Sequence, residues 1–175
     1  MTNIQTIDID ELRQKAKSGE YNEEAIANEF LKQVVDKEDC PIDIQSTLRN
    51  MGFVIEFKPL IDNLSGYVIV VNNDKKIIFI NNSDDQKHQK FVLAHELGQF
   101  IYDFNSKTYI NAYEKDARKD DCEIRANQFA ANLLMPKKLF KKQYKKLKGN
   151  IKELSDYFGV LEKSIDLRMR ELNLV

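Results

Sequence analysis

The segment from about Lys90 to Asp103 has the spacing of a buried helix but carries polar and charged side chains. Its apolar and small residues recur at helical intervals: Phe91, Ala94, Leu97, Gly98 and Ile101. His95 and Glu96 lie within this run, and Gln99 follows four residues after the histidine. Because residues four apart share one face of a helix, His95 and Gln99 point in the same direction. We therefore predict a core helix whose polar residues form a chemical site.

The composition is typical of one globular domain. The chain has 175 residues, of which 42% are hydrophobic and 31% are charged. No window approaches the roughly 18 consecutive apolar residues of a membrane span, and the N-terminal residues do not resemble a secretory signal. We therefore expect a cytoplasmic protein with no membrane partner. Cys40 and Cys122 are too few for a disulfide scaffold; both are expected to be inert thiols, with a redox or metal role for Cys122 as the alternative.

Charge is balanced overall but unevenly distributed. The net charge of −1 gives no general electrostatic reason to bind nucleic acid. Between Lys137 and Lys152, however, lysines occur without any acidic residue, at positions 137, 138, 141, 142, 145, 146, 148 and 152. This run is interpreted either as the solvated face of a helix or as a contact surface for an acidic partner.

The remaining pattern predicts an α+β fold. Helical spacing of apolar residues indicates a helix over Glu23–Val35, a short one within residues 42–52, and another from about Asp121 to Met135. Between them lie three segments rich in β-branched and aromatic residues, at 52–57, 65–72 and 75–82. We expect these three to form a small antiparallel sheet, and residues 104–120 to form an irregular polar link.

Residues 150–175 indicate two short helices with Gly159 at the turn. This helix-turn-helix outline is shared by DNA-reading modules and by the more common hairpins that pack for structural reasons. The second helix carries Glu162, Asp166 and Glu171, which would repel phosphate. We therefore expect no direct nucleic-acid binding.

The chemical site has the pattern of a zinc-peptidase helix with one change. Such helices carry two histidines four residues apart, with a glutamate after the first as general base. Gln99 replaces the second histidine and offers only a neutral amide oxygen, a poorer zinc ligand than imidazole nitrogen. His88, the other histidine, lies roughly 10 Å along the helix from His95, and Asp103 roughly 12 Å, too far to share its metal.

A further ligand is expected on the following helix. Glu123 occupies a suitable position, and Asn127 lies one turn further on, where it could orient a ligand. Ala126, Ala130 and Ala131 leave room for close packing between the two helices. Considered alone, Glu123 is expected to be a surface charge, and its assignment as a ligand depends on the residues around it.

The ordered set of motifs resembles the ImmA/IrrE family of metallopeptidases over nearly the whole chain. The matching segments are SGYVIVV (65–71), FVLAHELG (91–98), EIRANQFAANLLMP (123–136), YFGV (157–160) and LRMRELNL (167–174). The resemblance implies a zincin-like domain over residues 1–148, with N-terminal helices, a sheet of about three strands and an active-site helix. It also implies a helix-turn-helix-like appendage over residues 149–175, packed on that domain.

By the same resemblance, His95 and Glu123 would be zinc ligands, Glu96 the general base, and Gln99 a weaker ligand in place of the family's second histidine. The implied activity is site-specific cleavage of a helix-turn-helix (XRE-type) repressor, often encoded by a neighbouring gene. Cleavage would relieve repression of a mobile element, prophage or stress regulon. The alternative is a degenerate relative, with weakly bound or absent zinc, that binds a repressor or other partner without cutting it.

Three tyrosines between the two predicted metal helices are candidates for stabilising an oxyanion: Tyr102, Tyr109 and Tyr113. The sequence does not distinguish among them, and for each one a packing or surface role is the more common interpretation.

Overall fold

A computed structural model describes residues 7–34, 41–61, 63–72, 75–103, 108–114 and 121–175. Within these ranges the α+β prediction is confirmed. The elements, in chain order, are α1 Ile9–Ser18, α2 Glu23–Val34, α3 Ile44–Asn50, β1 Phe53–Lys58, β2 Leu64–Val71, β3 Lys75–Asn81, α4 Gln86–Tyr102, β4 Thr108–Glu114, α5 Asp121–Leu134, α6 Lys137–Lys146, α7 Ile151–Phe158 and α8 Glu162–Glu171. In the described ranges, no helix has the length and apolar character needed to cross a membrane.

The sheet has four strands in the order β1-β3-β2-β4 and is mixed rather than antiparallel. β2 pairs antiparallel with both β3 and β4, whereas β1 pairs parallel with β3. The prediction of about three antiparallel strands was therefore wrong in strand number and in the direction of β1. β-branched residues identify a strand but not its neighbour. β4 lies within the predicted irregular link, and its pairing with β2 makes it a strand.

One face of the sheet packs on α4. Side chains alternate between the two faces of a strand, so the fully buried residues of β2 and β3 share the inner face: Val68, Val70, Ile78 and Ile80. Gly66, on the same face of β2, allows close approach of the helix, because a Cβ at that position would lie 2.7 Å from Val92 Cγ1. The sheet thus holds α4 from one side.

α5 holds α4 from the other side at very short range. A Cβ added at Gly98 would lie 3.1 Å from Ala126 Cα and 3.1 Å from Phe129 Cδ1. Phe129 is fully buried and meets Phe30 of α2 edge to face, with ring centroids 6.3 Å apart. Small residues at the α4–α5 crossing therefore set the distance between the two helices.

The C-terminal helices form the predicted helical pair and pack on the rest of the chain. Gly159 ends α7 in the left-handed region at φ 63°, where glycine is favoured. The Lys90 ammonium of α4 donates to the Phe158 carbonyl at 2.7 Å, and the buried Arg168 of α8 donates to the Met135 carbonyl at 3.2 Å. A division of the chain at residue 149 stays a prediction.

Truncation of Phe129 to alanine should destabilise the chain by about 3–5 kcal/mol, because it leaves a cavity where α2, α4 and α5 meet. Ile124→Ala on the same helix is the matched control, since Ile124 is 42% exposed and should cost about 1 kcal/mol or less. Urea unfolding midpoints of the two variants measure the difference. Equal losses would contradict this assignment of the core.

Candidate metal centre

The site is buried because α4 lies between the sheet and α5. Asp85 caps the start of α4 by accepting a hydrogen bond from the Lys87 amide at 2.8 Å. From Val92 to Tyr102 every side chain of the helix is buried, including those of His95, Glu96 and Gln99. Polar groups removed from water in this way need partners within the protein. The position of each partner therefore defines the site.

Asn127 orients His95. The Nδ1 of His95 lies 3.0 Å from Asn127 Oδ1. A carbonyl oxygen only accepts hydrogen bonds, so this contact is made by a tautomer with its proton on Nδ1, and in that tautomer Nε2 presents a lone pair. Metal-binding histidines are commonly oriented in this way by a carbonyl or carboxylate behind the ring. Asn127, which the sequence suggested could orient a ligand, occupies this position.

Glu123 faces the same nitrogen from α5. Its Oε2 lies 3.4 Å from His95 Nε2, and its side chain is only 17% exposed. Two ligands of a tetrahedral zinc ion, each bonded at about 2.0–2.1 Å, are separated by roughly 3.3–3.4 Å. His95 and Glu123 therefore have the separation of two ligands of one zinc ion.

Gln99 is the third member of this group, and it turns its amide nitrogen rather than its oxygen towards the other two residues. Its Nε2 donates to Glu123 Oε1 at 2.6 Å and lies 3.4 Å from His95 Nε2. Its Oε1 has no hydrogen-bond partner within the described part of the chain. An amide nitrogen has hydrogens but no usable lone pair. Gln99 thus directs donors, not an acceptor, towards the two candidate ligands.

Glu96 is buried beside this group without a hydrogen bond. Neither carboxyl oxygen has a hydrogen-bond partner among the described residues, and the residue is 1% exposed. Burial raises the pKa of the Glu96 carboxyl well above its usual range, and the negative charge of Glu123 raises it further. Glu96 is therefore held in its neutral form more strongly than an ordinary glutamate.

Of the tyrosines whose side chains are described, Tyr113 on β4 contacts the site. Its ring lies 4.5 Å from the His95 ring, centroid to centroid. Burial raises the pKa of the Tyr113 hydroxyl, and the carboxyl groups of Glu123 and Glu96 add to the effect. Tyr102 instead packs against Phe129, and the side chain of Tyr109 lies outside the described residues. The sequence did not distinguish Tyr113 because it did not predict β4.

The other candidates lie in separate interactions. His88 Nε2 is 3.0 Å from the hydroxyl oxygen of Ser65. The Cys122 thiol donates to Asp103 Oδ1 at 2.7 Å. The structure therefore brings together His95, Gln99 and Glu123, with Glu96 adjacent, and gives His88 and Asp103 other partners.

Comparison with known proteins now identifies the family. The sequence profile of peptidase family M78, described as the IrrE N-terminal-like domain, matches residues 49–170. The chain belongs to this family.

Two similar proteins are consistent with this family assignment. The Bacillus subtilis (strain 168) metallopeptidase ImmA is 29% identical over 100 residues, which span 57% of this chain and 58% of ImmA. A solved structure, the Mycobacterium tuberculosis transcriptional regulator, covers 93% of this chain and 52% of its own length, with a TM-score of 0.55 and 19% identity. The latter shows a shared fold.

Membership of a metallopeptidase family implies a metal ion, typically zinc, and the residues of this family member can be tested against it. A catalytic zinc ion needs three protein ligands and an open position. Among the residues that the structure describes, only two strong ligands, His95 and Glu123, have the required spacing, and Gln99 turns donors towards them. In the described ranges, no three His, Cys, Asp or Glu side chains converge as a metal site requires. The residues present therefore do not fit a catalytic zinc site.

Glu96→Gln should change how stability depends on pH. Because folding raises the pKa of Glu96, its stabilising effect is complete below its ordinary pKa of 4.5 and is lost as pH rises through the folded-state value. Glutamine cannot ionise, so the variant should lose less stability between pH 4.5 and pH 9. Free energies of unfolding across this range, with the exposed Glu56→Gln as control, measure the effect; identical profiles for Glu96→Gln and the unaltered chain would refute it.

Proposed function

We propose that this M78-family chain recognises a helix-turn-helix transcription regulator along the β4 edge of its sheet, beside Tyr113, and does so without cutting it. The observation that carries the proposal is the 2.6 Å hydrogen bond from Gln99 Nε2 to Glu123 Oε1. This bond engages a candidate zinc ligand with a hydrogen-bond donor in place of a metal ion. Recognition can then persist where hydrolysis has been lost.

The sheet supplies a means of recognition. β4 stands at one end of the strand order, next to β2. An extended peptide commonly binds by adding a strand to such an edge, which provides main-chain hydrogen bonds. Tyr113 projects from β4 to the His95 ring, so a peptide lying along β4 would pass the candidate centre. This arrangement supports a protein segment as the ligand.

The class of partner comes from the family. ImmA is named a metallopeptidase, and the structural neighbour is named a transcriptional regulator. Both are consistent with a protein partner that controls transcription. Our proposal is a repressor of the XRE type, governing a mobile element, prophage or stress regulon, which this chain would sequester in the cytoplasm. His95 and Glu123 would keep the positions of metal ligands, and Glu96 the position of the general base, as inherited features.

Tyr113→Ala should weaken binding to a purified helix-turn-helix repressor of the XRE type by roughly tenfold or more, because a half-buried aromatic at the centre of a contact dominates its affinity. Tyr67→Ala is the matched control. Tyr67 pairs with Ala112 while Gly66 pairs with Tyr113, so Tyr67 faces away from the cleft. Calorimetric titration gives both affinities, and equal effects, or no binding by the unaltered chain, would count against the proposal.

Hydrolysis of the same partner is a second candidate. The observation that favours it is the Asn127–His95 hydrogen bond, which orients the ring as a metal ligand would be oriented. Glu96, the residue after that histidine in the sequence, would serve as the general base. The two candidates share the cleft and the partner but differ in whether a peptide bond breaks.

Mass spectrometry of the regulator after incubation with zinc distinguishes the two candidates. We expect the unaltered chain to leave it intact and Gln99→His to produce fragments. Addition of Glu96→Gln to the histidine variant should abolish those fragments, because it removes the base while keeping the shape of the side chain. Fragments from the unaltered chain, lost on Glu96→Gln, would replace our proposal with the second candidate.

A further inference from the structure

We infer that the side-chain amide of Gln99 replaces the metal ion of this site: its two N–H groups hold together the residues that would otherwise ligate zinc. The inference deepens the proposed function and takes its biological meaning from it, but it concerns the isolated chain. It predicts that the side chains of the centre are stably arranged without a bound metal ion.

The geometry matches one donor group to two acceptors. The nitrogen of a primary amide carries two hydrogens that diverge from it. Gln99 Nε2 lies 2.6 Å from Glu123 Oε1 and 3.4 Å from His95 Nε2. The other oxygen of that carboxyl, Glu123 Oε2, lies 3.4 Å from His95 Nε2. Gln99 Nε2 thus lies within hydrogen-bond distance of both candidate ligands, which are themselves adjacent.

The hydrogens of the Gln99 amide have the same kind of electrostatic role as a bound cation. Without a donor, the lone pair of His95 Nε2 and the Glu123 carboxylate would face each other in a buried site, which costs free energy. The partly positive hydrogens of the amide separate these two groups. Hydrogen bonds to an ionised acceptor are the stronger class, and the 2.6 Å contact with Glu123 is of that class when the carboxyl is ionised.

The same contacts oppose metal binding. An ion placed at bonding distance from His95 and Glu123 would meet the Gln99 hydrogens, so the amide would have to turn. Turning would present Oε1, which has no hydrogen-bond partner within the described residues, as one neutral ligand. It would also break both contacts made by Nε2. A single amide oxygen is a weak substitute for imidazole on zinc.

Zinc loading tests the inference directly. The purified full chain is dialysed against zinc sulfate in a molar excess of about one equivalent over the chain. Unbound zinc is then washed out, and the bound metal is measured. We expect no stoichiometric zinc in the unaltered chain and about one zinc per chain in Gln99→His, with an apparent affinity higher by at least about tenfold. Gln128→His on the exposed side of α5 is the matched control. It makes the same glutamine-to-histidine change away from the site, and this variant should bind no zinc.

Thermal unfolding tests whether the amide stabilises the metal-free centre. Gln99→Leu keeps a side chain of similar size but removes both donors, and should lower the melting temperature by about 4 °C or more. Gln128→Leu, the exposed control, should leave it within about 1 °C. The melting temperature of the unaltered chain should be the same with zinc and with chelator, whereas Gln99→His should melt higher with zinc.

Two results would overturn the inference. One is about one zinc per unaltered chain with a melting temperature that rises on adding zinc. The other is a Gln99→Leu variant as stable as the unaltered chain, which would show that the amide holds nothing together. Neither result depends on a partner, so failure here is distinguishable from failure of the proposed function, which would appear as absent binding to the regulator.

Discussion

The close approach of α4 and α5 at Gly98 and Ala126 is the constraint on which the candidate centre depends. A side chain larger than hydrogen at position 98 would press on the backbone of α5, 3.1 Å away. Because the two helices meet at this distance, Glu123 and Asn127 of α5 reach His95 of α4 directly. The interior of a protein is packed too densely to absorb such a change without displacement. The geometry of the centre is thus a consequence of helix packing.

Because the polar residues of α4 are buried, their hydrogen-bond partners have to come from within the protein. The sheet covers one side of the helix and α5 the other, so His95, Glu96 and Gln99 have no access to water. His95 is satisfied through Asn127, and the nitrogen of Gln99 through Glu123. Glu96 keeps an unmatched carboxyl, with a pKa raised by burial. Retention of an unmatched buried carboxyl is costly, and functional sites are where such costs are commonly found.

The centre separates two properties that are combined in a working metallopeptidase. In the proposed function, recognition depends on the β4 edge and on Tyr113, and neither of these includes residue 99. Hydrolysis also requires an ion held by three ligands. Under our proposal, glutamine at position 99 removes the second property, and its amide is a neutral group that keeps the first intact. A binding protein can arise in this way from a catalytic family with little change to its fold.

Local sequence alone was enough to predict the helices that carry the candidate centre and several of its residues. Helical periodicity placed His95, Glu96 and Gln99 on one buried helix, and the spacing of the following helix indicated Glu123 and Asn127 as their neighbours, because the period of a helix fixes direction over short distances. The tertiary structure decided the parallel pairing of β1, the existence of β4, the selection of Tyr113 and the direction of the Gln99 amide. Each of these depends on contacts between distant segments: a strand has no partner until the sheet assembles, and an amide turns towards whichever acceptors packing places beside it.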